Sequence, residues 1–133
     1  MLRFFCFITA IICFSACHQP SGIKEVITGA DSVAISYYTG NGKIDSVTKV
    51  IILRKHDEME KLAAYIESDQ VAQHNCGYDG ALHFFKSNTV IKPVYFRSND
   101  VNCMHFSFMM DGKPFFTKLS PEAKQFLQTT GPR

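Results

Sequence analysis

The sequence predicts an α+β domain: a β-rich antiparallel sheet of about 5–6 strands, one main helix and a short C-terminal helix, in the order ββαββββα. Three observations predict it. Short stretches of alternating apolar and polar residues recur beyond residue 32, which is the period of half-buried strands. Asn41-Gly42 and Asp111-Gly112 lie between such stretches and carry the strongest short hairpin signal. The segment His56–Ser68 instead spaces its apolar residues as a helix does.

Each element follows from its own residues. Val33, Ile35 and Tyr37 alternate with small or polar neighbours and mark a first strand. Gly40-Asn41-Gly42 turns the chain into a second strand, expected from about Lys43 to Arg54. Its Val50-Ile51-Ile52-Leu53 run is apolar on both faces, which predicts a covered position inside the sheet. In the helix, Met59, Leu62, Ala63 and Ile66 form one apolar stripe, and Asp57 with Glu60 resembles a capping box. Glu58, Glu60 and Lys61 lie off that stripe as a solvated face.

Residues 69–80 are polar and turn-rich. Strands are expected at Ala81–Lys86, Val90–Arg97, Val101–Met110 and Phe115–Leu119. Met104, Phe106, Phe108 and Met110 would share one face, and His105, Ser107 and Met109 the other. Pro93 and Pro114 lack an amide donor, so their strands are expected at sheet edges or to begin there. Ser120-Pro121-Glu122 supplies an N-cap, a proline at the first helical position and an acid in the first turn. Ala123, Phe126 and Leu127 give that last helix a docking stripe. Phe84, Phe85, Tyr95, Phe96, Phe106, Phe108, Phe115 and Phe116 can fill both sheet faces, and any left bare would mark a partner or ligand surface.

The 133 residues suit one domain. A net charge of +2 and the lack of any basic run exclude nucleic acid as a partner. No nucleophile elbow, P-loop or dinucleotide fingerprint occurs, and no cofactor is expected.

The first sixteen residues have a different character. Arg3 precedes an apolar run from Phe4 to Phe14, and Ser15-Ala16 follows. That is the layout of a signal peptide, and the run is too short to span a bilayer, which takes roughly 20 residues. Phe14-Ser15-Ala16-Cys17 resembles the lipobox of the bacterial lipoprotein family, with Phe14 where Leu is usual. The resemblance implies cleavage after Ala16 and a diacylglyceryl group on the Cys17 sulfur. The domains expected are then 1–16 signal peptide, 17–23 lipid-anchored tether and 24–133 a single globular domain. No acidic cluster follows Cys17, which favours the outer membrane facing the periplasm.

Under that resemblance the cysteines sort themselves. Cys6 and Cys13 leave with the signal, Cys17 takes lipid, and Cys76 and Cys103 remain as one pair in an oxidising compartment. A disulfide between them is expected.

Two constellations offer chemistry. His74-Asn75-Cys76 and Cys103-Met104-His105 mirror each other. Neighbouring segments would bring together His74, Cys76, Cys103 and His105 as the site of a metal-binding or redox lipoprotein: a zinc or copper(I) set with Met104 or Met109 nearby, or a redox-active cysteine pair, though without a C-x-x-C motif. A disulfide competes with it by consuming both thiolates. His83 or His105 with Asp79 or Asp100 would suit a small hydrolase, although each Asp also stands beside turn residues. The leading expectation is a membrane-tethered, non-catalytic binding or accessory lipoprotein of the bacterial envelope. It would meet an envelope protein or ligand on a sheet face or exposed edge strand, by strand addition.

Overall fold

The computed structural model describes residues 21–39, 46–73 and 75–130. The signal segment 1–16, Cys17, the Gly40-Asn41-Gly42 turn and His74 lie outside the described residues. The elements are α1 (Ile23–Thr28), β1 (Ser32–Tyr37), β2 (Lys49–Leu53), α2 (His56–Ile66), β3 (Gly80–Lys86), β4 (Thr89–Arg97), β5 (His105–Met110), β6 (Lys113–Lys118) and α3 (Pro121–Thr129). The six strands form one antiparallel sheet in the order β2-β1-β3-β4-β5-β6, so the expected α+β class holds.

Alternation places one set of side chains under the helices. Val33 and Ile35 of β1, Leu82 and Phe84 of β3, Val94 and Phe96 of β4, and Phe106 and Phe108 of β5 are buried there. Met59, Leu62, Ala63 and Ile66 of α2 and Ala123 and Leu127 of α3 close over them, as their stripes predict. The Ser120 hydroxyl accepts the Ala123 amide at 3.1 Å and caps α3, with Pro121 at its start. Tyr37 donates from its hydroxyl to the Leu127 carbonyl, binding β1 to the end of α3. Burial holds the Tyr37 phenol above its ordinary pKa, because the ionised form loses water there.

Two hairpins are tight. Asp111 and Gly112 have φ of 50° and 74°, and Ser87 and Asn88 have φ of 50° and 63°. Positive φ at both central residues twists the turn to match the strands. Asp111-Gly112 is expected from sequence; Ser87-Asn88, with no glycine, is not.

Five local expectations are corrected. First, Val50–Leu53 is not inside the sheet: β2 is an edge strand. Its apolar run is covered by helices on one side only, and periodicity cannot tell that from cover on both. Second, α2 starts after Lys55, which makes no side-chain cap, so Asp57 and Glu60 form no capping box. Glu60 instead meets His56 at 3.6 Å across one exposed turn. Third, β5 begins at His105 rather than Val101, because Asp100 turns the chain. Its carboxylate accepts the Asn102 amide at 3.0 Å, and its carbonyl accepts the Cys103 amide at 2.9 Å. Fourth, Pro93 lies in an inner strand, although Pro114 lies in the edge strand β6. The β4–β5 ladder stops at Tyr95, so no β5 carbonyl waits for a Pro93 amide. The Lys92 ammonium donates to the Met109 carbonyl at 2.7 Å instead. Fifth, Ile23 belongs to the domain rather than to a tether. It is fully buried and opens α1.

Candidate functional site

The chain between α2 and β3 divides the outer face of the sheet in two. It first lines the free side of β6: the Lys118 amide donates to the Asp69 carbonyl at 2.7 Å, Gln70 bridges Thr117, and the Val71 amide donates to the Phe116 carbonyl at 2.9 Å. It then crosses the outer face. Tyr78 lies on Tyr95, with centroids 5.1 Å apart, and its hydroxyl meets the Ser107 Oγ at 3.3 Å. His105 is buried beneath, its ring 6.0 Å from Tyr78 and 5.9 Å from Phe116.

Three contacts pin this crossover. Cys76 and Cys103 form the expected disulfide, with Cα atoms 6.4 Å apart. Asp79, buried, accepts from the Arg97 Nη1 at 2.6 Å and from the Ser98 and Asn99 amides at 2.7 Å each. A buried carboxylate needs such donors, because desolvation without them is expensive. Gly80 then enters β3, where an added Cβ would strike the Phe96 ring and the Ser36 carbonyl. The bare glycine lets the Phe96 ring lie there and meet Tyr37 edge-on at 5.9 Å.

The other half of the outer face, over β2, β1 and β3, carries no crossover. Val50 and Ile52 of β2 point outward and are 54% and 50% exposed. Val50 pairs in register with Ser36 of β1, and Ile52 with Ala34. Ala34, Ile52 and Phe85 floor a hollow of about 250 Å³ whose rim carries Asp31, Arg54 and Asn88. The free side of β2 has no strand beside it among the described residues.

The residues expected to carry chemistry are placed as follows. The disulfide takes both sulfurs of the metal set, and His74 lies outside the described residues. Asp100 brings a carboxylate oxygen within 4.8 Å of the two sulfurs. The His105 Nδ1 donates to the Cys103 carbonyl at 2.8 Å, which orients the ring. Met104 lines a second hollow of about 360 Å³ with Val71, Val101 and Lys118, while Met109 is half exposed on the other strand face. For hydrolase chemistry, Asp79 is engaged by Arg97 and the turn amides. His83 sits on the outer face between Ala34 and Pro93, and no hydrogen bond joins it to Asp79 or Asp100. The residues that sequence reasoning missed are Val50 and Ile52 as exposed edge residues and Arg97 as the counterion of Asp79. Val47 to Leu53 is rich in β-branched residues, the only sequence signal for the first two.

Comparison of the chain with protein-family models, with curated proteins and with solved structures finds no match.

Proposed function

We propose that this chain is a lipid-anchored, non-catalytic binding module of the bacterial cell envelope that takes an extended protein strand along β2. One observation carries the binding half. An apolar edge strand stands open beside a bare half-face, with Val50 and Ile52 half exposed. Exposed edges invite strand pairing, and natural proteins normally block them with proline, charge or a bulge. Lys49 opens the strand and Arg54-Lys55 follows it, but across Val50, Ile51 and Ile52 no proline, charge or bulge interrupts the edge. Added backbone hydrogen bonds would supply affinity, and the hollow floored by Ala34, Ile52 and Phe85 would select a side chain. The envelope half rests on the lipobox resemblance at Phe14-Ser15-Ala16-Cys17 and agrees with the Cys76–Cys103 disulfide, a bond of oxidising compartments.

Two measurements on whole cells test it. The chain should fractionate with membranes, and Cys17→Ser should release it; equal membrane retention would defeat the anchor. A photoreactive amino acid at position 50 should give one discrete protein adduct after irradiation. A position 50 that yields no adduct, while the same probe at Met109 does, would remove β2 as the docking edge.

A further inference from the structure

Resting on the reading of β2 as a docking edge, we infer that the strand it takes is β2 of a second copy of this chain. The two strands run antiparallel about a two-fold axis through Ile51. Three observations point to self-pairing.

The first is the geometry of symmetry. A two-fold perpendicular to the sheet keeps both helix layers on one side, and opposite residues must then share a face. Pairing is therefore restricted to registers centred on a residue. Centred on Ile51, Val50 faces Ile52 of the second copy and Ile52 faces its Val50. The two outward apolar residues of the edge thus cover each other.

The second is charge. In this register Lys49 faces Leu53, Thr48 faces Arg54 and Val47 faces Lys55 of the second copy, so each cation meets an uncharged side chain. Moving the centre to Ile52 would oppose Lys49 to Lys55, a destabilising like-charge pair. Moving it to Val50 would set Ile52 against Thr48 and forfeit the apolar match.

The third is closure. The opposite edge of the sheet is lined along its second half, since Asp69, Gln70 and Val71 bond to Phe116–Lys118, and Pro114 removes an amide donor from its first half. Pairing through β2 uses the outer strand that has no chain along any part of its edge among the described residues, and a symmetric pair leaves only the β6 edges, half lined and broken by Pro114. The assembly stops at a dimer with a continuous twelve-stranded sheet, six strands from each copy.

Cysteine cross-linking in membranes of cells expressing the full chain tests the register. Ile51→Cys puts two thiols across the axis, at a Cβ separation of about 5 Å, close enough for a disulfide with slight adjustment. A reductant-sensitive dimer band is expected. Val101→Cys, on the loop before β5 and 78% exposed, should give none. Adding Ile52→Lys to Ile51→Cys should abolish the band, because a cation then faces Val50. Equal bands from both cysteine variants would report random collision and overturn the inference. If Ile51→Cys stays monomeric while the probe at position 50 captures a different protein, self-pairing fails and the docking edge stands. If neither gives a product, both fail.

Discussion

Asp79 shows how one side chain can hold a topology. Its carboxylate gathers the Arg97 guanidinium and two amides from the turn after β4, at the point where the crossover becomes β3. Removing the carboxylate leaves the mostly buried Arg97 without its counterion and two amides without an acceptor. Asp79→Ala should therefore destabilise the domain by roughly 3–5 kcal/mol, the range for breaking a buried ion pair. Urea unfolding monitored by circular dichroism would show the loss as a lower midpoint, and a midpoint within error of the parent would refute the assignment. The type of residue is legible in sequence, since Asp before Gly reads as a turn. Its counterion is not, because Arg97 lies 18 residues away and nothing local links the two.

Single elements show the same division between local and distant causes. Everything that starts α3 lies within four residues: Ser120 caps, Pro121 presets the first turn and Glu122 favours the helix dipole. Ser120→Ala should lower stability by about 1 kcal/mol. Thermal melting should register it, and Ser120→Asn should restore most of it; an unchanged melt would show that tertiary packing alone holds this end. The six residues of α1 are too few to be helical alone. They are held from outside, since Glu67 at the end of α2 accepts from the Ser21 hydroxyl at 3.2 Å, the Gly22 amide at 3.2 Å and the Lys24 amide at 2.9 Å. Ile23 and Ile27 bury themselves below. A tether was the reasonable local expectation for Ser21-Gly22-Ile23, and a carboxylate more than forty residues away in sequence overrode it. In β2 the local alternation and β-branching correctly mark a strand, but edge or centre depends on what lies beside it.

Over the whole molecule, the disulfide ties the crossover to the loop ahead of β5 and keeps Tyr78 over His105 and Tyr95. It joins positions 27 apart in sequence, which by chain entropy stabilises the fold by roughly 3 kcal/mol. The double variant Cys76→Ser/Cys103→Ser should lose about that amount. It should also speed amide exchange at Val71 and Asp79, whose hydrogen bonds fasten the crossover. Unfolding midpoints compared with and without reductant check the first point, and hydrogen exchange the second. A reductant-insensitive midpoint in the parent chain would contradict the contribution of the bond. The crossover also explains the asymmetry of the outer face: it spends Tyr78, Tyr95, His105 and Phe116 on one half and leaves Val50, Ile52 and Phe85 for the other.

By itself the sequence determined every element but α1, the order of those elements and most of the side chains that turn inward. Those depend on spacing along the chain: period two for strands, 3.6 for α2, and turn or capping chemistry within four residues. The pairing of Cys76 with Cys103 was legible too, through the lipobox resemblance, which implies other fates for Cys6, Cys13 and Cys17. Strand order, the edge position of β2, the helical state of Ile23–Thr28 and the half-bare face were decided only by the tertiary structure. Each depends on residues far apart in sequence, and an alternating apolar strand has the same local pattern whether it has one neighbour or two.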